Sequence, residues 1–124
     1  MFGLNQPKLI ETKTIRTDMD GSLSVVESNT DIPFSIRRVY YIHYIKHNTV
    51  RGYHAHKTLY QCLVAVHGRV ELRLEGRSGK FSFQLDDASQ GVLIPPGYWR
   101  EMHELDPESV VMVLASQHYD ERDY

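Results

Sequence analysis

The chain lacks the features that define several large classes of protein. Its one cysteine, Cys62, cannot form an internal disulfide, which excludes a disulfide scaffold and favours a reducing, cytoplasmic location. Cys62 lies in the apolar run QCLVAV, so we expect an inert buried thiol rather than a nucleophile. No apolar run is long enough for a signal peptide or a membrane span, so we expect no membrane association.

An excess of charge of one sign is lacking too. The 14 Lys and Arg residues against 16 Asp and Glu residues give a formal net charge of -2. This balance argues against a protein built mainly to hold nucleic acid, but it allows a local basic pocket for a phosphorylated ligand. The length of 124 residues and the hydrophobic fraction of 41% are those of one globular domain, which we expect to cover residues 1–124.

Helical periodicity is absent as well, whereas strand patterns recur along the chain. Segment 70–76 alternates apolar and polar residues, which predicts a strand with one wet face, and segment 110–115 is apolar throughout, which predicts a strand covered on both sides. Short strands separated by turn residues predict an all-β sandwich or barrel. The predicted strands lie within 37–45, 59–66, 69–76, 80–85, 91–95 and 109–116.

Two histidines in RGYHAHKTLYQ, residues 51–61, are the first candidates for chemistry. Side chains two apart on a strand point to the same face, so His54 and His56 are expected to project together. A surface pair on an edge strand is one interpretation, and a shared site inside a barrel is the other. The residues downstream, Gln61 and then Arg100 after the turn PPG, favour the second interpretation.

This arrangement resembles the cupin barrels. Their first motif is His-x-His followed by Glu and Gly, and their second is Pro-x-Gly followed by a third His; in metal-binding cupins the three histidines and the glutamate hold one divalent ion. Here Gln61 stands at the position of the glutamate and Arg100 at that of the third histidine. A neutral amide is a poor ligand, and a guanidinium has no lone pair to give. The resemblance therefore implies a small all-β cupin (RmlC-like) barrel or jelly roll that uses no metal and no other cofactor.

A histidine pair without a metal indicates proton transfer, because the pKa of imidazole lies closest to neutral pH. Charge that develops on a substrate oxygen then needs donors from the protein. Strand alternation places Arg38 and Tyr40 on one face and Val39 and Tyr41 on the other, and the face with arginine and tyrosine suits a polar pocket. Arg51 is a further candidate.

A closer resemblance covers nearly the whole chain from Asp18. The sequence is similar to the WxcM-like sugar 3,4-ketoisomerases that act on dTDP-linked 4-keto-6-deoxyglucose. One departure from the family pattern is Asp20, which replaces the arginine of the DxRGSL turn. The segments that carry the resemblance are DMDGSL (18–23), IPFSIRRVYYI (32–42), RGYHAHKTLYQ (51–61), PPGYWREM (95–102) and LASQHYDERDY (114–124).

The resemblance implies an isomerase that moves the ketone from C4 to C3 by acid/base proton transfer, within the biosynthesis of 3-amino-3,6-dideoxyhexoses for glycans such as lipopolysaccharide or an S-layer. It implies His54 as the base, His56 as its partner in proton delivery and Tyr40 beside the sugar. Substrate binding is expected from a second set of residues, Arg38, Arg51, Gln61 and Arg100. Arg51 is open to two interpretations, a turn residue or a contact to the diphosphate.

Several expectations concern the remaining residues and the assembly. Trp99 and His103 are open to core packing or to stacking on the nucleotide. Lys57 is expected to face solvent, and four other histidines are assigned to the surface or to structure: His43, His47, His67 and His118. A homodimer is expected because an open barrel has edge strands that pair readily. The resemblance to the cupins implies that N-terminal strands from segment 8–17 exchange in this dimer.

Two other function classes remain open at this point. A nucleotide-sugar 3,5-epimerase of the same barrel type would also act on a 4-keto sugar with a histidine base, and product analysis separates it from an isomerase. A non-catalytic cupin that binds a sugar would show no turnover.

Overall fold

The structure is a computed structural model and describes residues 4–46 and 49–123. The described part of the chain contains eleven strands and one short 3₁₀ helix, η1 (Glu121–Asp123). The strands are β1 (Lys8–Glu11), β2 (Lys13–Thr17), β3 (Gly21–Val25), β4 (Arg38–Ile42), β5 (Arg51–His54), β6 (Gln61–His67), β7 (Val70–Gly76), β8 (Gly79–Leu85), β9 (Gln90–Ile94), β10 (Trp99–His103) and β11 (Val110–Ala115).

The strands form two antiparallel sheets and a hairpin. One sheet has the order β1-β9-β6-β11-β4, the other has the order β5-β10-β7-β8, and β2 pairs with β3. The predicted all-β class is therefore confirmed, and each of the six predicted segments overlaps a strand that extends at most one residue beyond the segment. No helix in the described residues is long and apolar enough to cross a membrane.

Five strands, β1, β2, β3, β5 and β10, lie outside the six predicted segments. Strands β1, β2 and β5 fall in segments 8–17 and 51–61, where the sequence also predicts strands, whereas β3 and β10 are not predicted, for different reasons. Of the two apolar residues of β3, Leu23 is 56% exposed and Val25 is only partly buried, so burial leaves no alternating pattern there. In β10 an arginine takes one of the inward positions: Arg100 is 1% exposed and Met102 is 3% exposed. Because a charged residue takes an inward position, the alternation of apolar and polar residues that predicts a strand is lost in β10.

The main core lies between the two sheets. On β7 the side chains of Val70, Leu72 and Leu74 are buried and Arg73 and Glu75 are exposed, so the predicted alternation is confirmed.

The outer face of the five-stranded sheet carries a second buried cluster. Phe34, from the chain between β3 and β4, packs with Leu114 of β11 and Cys62 of β6. Val113 of β11 belongs to the main core, so β11 is covered on both sides as predicted. Burial raises the pKa of the Cys62 thiol to about 12, as expected of an inert thiol.

Candidate active site

A cavity of about 470 Å³ brings together most of the residues that the sequence marked. Its wall includes Arg38 and Tyr40 from β4, Arg51 and His54 from β5, and Tyr119 from the C-terminal segment. The burial of β4 alternates as predicted, with Arg38 and Tyr40 less exposed than Val39 and Tyr41. Tyr41, which the alternation places on the other face, nevertheless also lines the cavity. Arg51 lies on a strand and lines the cavity, which rules out the interpretation as a turn residue.

A β-bulge in β5 turns Arg51 and His54 to the same face. Arg100 pairs with His54, but the next residue of β10 pairs with Gly52, so Tyr53 is an extra residue in β5. Without that residue, side chains three apart would point to opposite faces. Gly52 has a φ of 99°, and a Cβ there would lie 2.8 Å from the carbonyl oxygen of Arg100. The bulge therefore requires glycine at this position.

His54 carries its hydrogen on Nδ1, which leaves a lone pair on Nε2. Nδ1 lies 3.0 Å from the backbone oxygen of Gly52, and a carbonyl oxygen can only accept a hydrogen bond. Burial lowers the pKa of His54 more than this contact raises it, and Arg100 lowers the pKa further. His54 is thus neutral near pH 7, and its Nε2 can accept a proton.

His56 packs against His54 but is not part of the cavity wall. The two rings are perpendicular with centroids 4.9 Å apart, so the predicted close approach of the pair is confirmed. His56 is only 2% exposed. Burial lowers its pKa to about 4, Arg100 adds to the shift, and the hydrogen bond with Asp123 opposes it. Near pH 7 His56 therefore holds no extra proton, and its role in proton delivery stays a prediction.

A chain of hydrogen bonds runs from Arg100 through Gln61 to Tyr40. Gln61 and Arg100 are 0% and 1% exposed. The guanidinium of Arg100 has only donors, so it fixes the amide oxygen of Gln61 on its own side. The amide nitrogen of Gln61 then donates to the Tyr40 hydroxyl oxygen at 2.8 Å. Because that oxygen accepts from Gln61, the hydroxyl hydrogen of Tyr40 is directed towards a different acceptor.

Gln61 and Arg100 therefore influence the cavity through Tyr40 and the histidines and are not part of its wall. Their predicted direct contact with a substrate stays a prediction. Two histidines, an amide and a guanidinium do not fit a divalent cation, since only the imidazoles are good ligands. Among the described residues, no group of three or more His, Cys, Asp or Glu side chains is placed to hold a metal ion.

The C-terminal segment contributes two residues that sequence reasoning missed. The guanidinium carbon of Arg38 lies 5.2 Å from the ring centroid of Tyr40 and 5.6 Å from that of Tyr119, so the cation lies close to two aromatic rings. Asp123 accepts a hydrogen bond from His56, with 3.0 Å between Oδ2 and Nδ1. The recurring segment LASQHYDERDY was a signal for both, but it did not say which of its residues reach the site.

The residues around the second motif and on the surface follow mostly as expected. Trp99 is 41% exposed and donates to Glu101 at 3.0 Å, so core packing does not describe it. His103 also contacts Glu101, at 2.8 Å. The residues found exposed as predicted are Lys57, His43, His67 and His118, whereas His47 lies outside the described residues.

Comparison with known proteins gives consistent matches. A family model described as FdtA, WxcM-like, C-terminal matches residues 5–124. A TDP-4-oxo-6-deoxy-alpha-D-glucose-3,4-oxoisomerase of Aneurinibacillus thermoaerophilus is 44% identical over 117 residues, which are 94% of this chain and 84% of that protein.

Solved structures show the same similarity. A mutant of the 3,4-ketoisomerase QdtA of Thermoanaerobacterium thermosaccharolyticum, in complex with TDP-4-keto-6-deoxyglucose, has a TM-score of 0.90 and 42% identity, covering 97% of this chain and 86% of that chain. The WlaRB TDP-quinovose 3,4-ketoisomerase of Campylobacter jejuni has a TM-score of 0.90 and 36% identity, with 98% and 92% covered. The predicted fold, a small cupin-type β-barrel, is confirmed.

Proposed function

The chain belongs to the WxcM-like FdtA family, and we propose that it is a sugar 3,4-ketoisomerase that converts TDP-4-keto-6-deoxyglucose into the 3-keto-6-deoxy sugar. The observation that carries the proposal is a neutral His54, with a lone pair on Nε2, in the wall of a cavity that also holds Tyr40, Arg38 and Arg51. A base, a hydroxyl donor and two cations are the groups that an enolisation of a nucleotide-linked ketone needs.

His54 takes the proton from C3 of the sugar, which the neighbouring C4 ketone acidifies. The electron pair of the C3–H bond forms a C3=C4 double bond, and negative charge builds on the C4 oxygen. The C4 oxygen then takes up one proton and the C4 carbon a second, while the C3 hydroxyl loses its proton, which places the ketone at C3 and a hydroxyl at C4. No atom is gained or lost overall, so the reaction needs no external oxidant or reductant.

The Tyr40 hydroxyl donates a hydrogen bond to the C4 oxygen of the sugar, on which negative charge develops. The hydrogen bond from Gln61 makes the Tyr40 hydroxyl a better donor, because each bond of such a chain polarises the next. The charge of Arg100 at the other end strengthens this effect. Gln61 and Arg100 are thus positioning residues. At two of the positions where a metal cupin has ligands, this chain has a pair of hydrogen-bonding residues that helps Tyr40 to stabilise an oxyanion.

Arg38 and Arg51 bind the diphosphate. Arg38 contacts the rings of Tyr40 and Tyr119, and Arg51 is the more exposed of the two arginines. Guanidinium groups match phosphate oxygens in geometry and keep their charge at every physiological pH.

We propose further that a single domain, residues 1–124, carries out this reaction in the cytoplasm as a homodimer. The product has its ketone at C3, where an aminotransferase can act to give a 3-amino-3,6-dideoxyhexose for a surface glycan. The β2–β3 hairpin supports the dimer, because Ile15 and Leu23 lie opposite each other and are 65% and 56% exposed. In the single chain β1 pairs with β9 at the edge of the sheet, so an exchange of segment 8–17 would preserve a pairing that already exists.

Incubation of the protein with TDP-4-keto-6-deoxyglucose, followed by NMR of the sugar, tests the proposal. We expect the carbonyl carbon to move from C4 to C3. Inversion at C3 or C5 with the ketone still at C4 would instead identify an epimerase, and saturable binding without conversion would identify a binding protein.

A further inference from the structure

We infer that Asp123 is a positioning residue that fixes which ring nitrogen of His56 carries the hydrogen. The consequence for catalysis rests on the ketoisomerase function proposed above, whereas the tautomer of His56 can be measured without it. The two residues are 67 positions apart in the chain, and η1 brings Asp123 to the histidine.

The carboxylate of Asp123 is held on both sides by the chain next to the histidine pair. Its Oδ1 accepts hydrogen bonds from the backbone nitrogen and from the hydroxyl of Thr58, each at 2.7 Å. Its backbone oxygen accepts from the backbone nitrogen of Lys57 at 2.7 Å. With Oδ1 engaged in this way, Oδ2 meets Nδ1 of His56 at 3.0 Å. Both side chains are buried, so water screens the contact little.

An ionised carboxylate can only accept, so it places the hydrogen of His56 on Nδ1. Burial raises the pKa of Asp123, but the hydrogen bonds from Thr58 and His56 outweigh burial and hold that pKa below its usual value. Asp123 is therefore ionised and His56 neutral near pH 7, with the lone pair of His56 on Nε2. The nearby positive charge of Arg100 disfavours a second proton on His56 and so favours the neutral imidazole.

This hydrogen placement matters because the ring of His56 packs edge-on against His54, the proposed base. A change of tautomer would turn Nε2 of His56 from an acceptor into a donor near the charge of Arg100. It would also disturb the His56 ring, against which His54 packs. A purely structural role for Asp123 is the competing explanation, since its contacts to Lys57 and Thr58 also anchor η1. The two roles differ in what an asparagine at this position does.

The variant Asp123→Asn separates the two roles. The two donors of Thr58 require the amide oxygen at the position of Oδ1, so the amide NH₂ faces His56 and shifts the hydrogen of His56 from Nδ1 to Nε2. Long-range ¹H–¹⁵N spectra of histidine-labelled protein near neutral pH report the tautomer directly. We expect the Nδ1–H form of His56 in the unmutated protein and the Nε2–H form in the variant.

The kinetic expectation is a loss of kcat without a comparable change in KM. Asp123→Asn should lower kcat for TDP-4-keto-6-deoxyglucose by about 10²-fold, the lower end of what one acid/base group contributes, and change KM by less than about threefold. Glu121→Gln is the matched control, because it removes one negative charge from an exposed position of the same helix. In a background of His56→Asn, the change Asp123→Asn should add no further loss if Asp123 acts through His56.

An Nε2–H form of His56 in the unmutated protein would overturn the inference, and this test needs no variant to fold. An Asp123→Asn variant with unchanged tautomer and unchanged kcat would also overturn it. A folded Asp123→Asn variant that loses only thermal stability would assign Asp123 a structural role and overturn it as well. The predicted tautomers in a protein that converts no TDP-4-keto-6-deoxyglucose would support the positioning of His56 and refute the proposed function.

Discussion

The two histidines of the RGYHAHK segment pack against each other but differ in environment. His54 lines the cavity and bonds to a backbone carbonyl, whereas His56 is buried and bonds to a carboxylate. Both acceptors place the ring hydrogen on Nδ1, so each ring keeps a lone pair on Nε2. Both imidazoles are neutral near pH 7, and only His54 lines the cavity, so His54 is suited to act as a general base.

Replacing the base should slow the reaction strongly. His54→Asn keeps a polar group of similar size and removes the proton acceptor, so we expect a folded protein whose kcat is lower by about two to four orders of magnitude. His67→Asn, on the exposed end of β6, serves as the control and should keep the full rate. Turnover of TDP-4-keto-6-deoxyglucose measures both; a His54→Asn variant with most of its activity would refute the assignment.

What the sequence predicted at this scale depended on distance along the chain. The approach of His54 and His56 could be predicted from two neighbouring positions, although β5 ends at His54 and His56 lies just beyond the strand. Arg38 and Tyr40 could be placed in the same way along one strand. The bond between Asp123 and His56 joins distant segments, and no local periodicity encodes such a contact. For the same reason the burial of Gln61 and Arg100 behind Tyr40 could not be foreseen from spacing alone.

At the scale of single elements, the bulge in β5 decides which side chains reach the cavity. Alternation along a regular strand would have placed Arg51 and His54 on opposite faces. The sequence contains the glycine that permits the bulge, but a glycine in a strand indicates a bulge, a bend or a close approach equally well. Gly52 has two of these roles, because it lies in the bulge and also approaches the backbone of Arg100 closely.

Adding one methyl group at this glycine should therefore be costly. Gly52→Ala meets both an unfavourable φ of 99° and a backbone oxygen 2.8 Å from the new Cβ. Gly79→Ala is the matched control, since its φ is 121° but no atom lies within 4 Å of a Cβ there. We expect Gly79→Ala to lower the free energy of unfolding by about 1 kcal/mol and Gly52→Ala by clearly more, about 2–3 kcal/mol.

Urea unfolding of the two variants measures this difference. In Gly52→Ala the isomerase rate should fall as well, because any shift of β5 moves His54. Equal losses of stability in the two variants would show that the close approach to Arg100 does not constrain the bulge.

At the scale of the whole molecule, the buried histidines make stability depend on pH. The pKa of His56 is about 4 in the folded protein, whereas a histidine in an unfolded chain has its usual value near 6.5. Between these values the unfolded chain binds more protons, so the free energy of unfolding falls as the pH falls from about 6.5 towards 4. The lowered pKa of His54 acts in the same direction.

Urea midpoints at about pH 7 and about pH 5 should therefore differ, with the lower midpoint at pH 5. The difference should shrink in His56→Asn, where this proton is no longer taken up on unfolding. A midpoint that is higher at pH 5 would contradict the lowered pKa values of the two histidines.

The proposed dimer makes a separate prediction for the hairpin. Leu23→Glu places a charge in the exposed apolar pair with Ile15, so it should weaken the dimer and yield monomer at micromolar concentration. Gln84→Glu adds the same charge at an exposed position of β8 and should leave the assembly unchanged. Sedimentation velocity measures both, and a monomeric unmutated protein would refute the dimer itself.

The barrel as a whole also holds four positions from which metal-binding cupins take their ligands, and here two of them carry Gln61 and Arg100. The double change Gln61→Glu with Arg100→His restores three histidines and one carboxylate and removes the cation that opposes a divalent ion. We expect this variant to bind nickel, zinc or manganese in elemental analysis and to lose isomerase activity. Imidazoles that ligate a metal cannot accept a proton, and the donor chain to Tyr40 would be broken.

The single change Gln61→Glu is the informative control for that design. Arg100 would pair with the new carboxylate, so metal should bind weakly at best although three of the four ligands are present. The unmutated protein, purified without a chelator, should contain no stoichiometric transition metal, and EDTA should leave its rate unchanged. Tightly bound metal in the unmutated protein, with activity lost on chelation, would mean that His54 and His56 serve as ligands, and the acid/base interpretation of the pair would have to be abandoned.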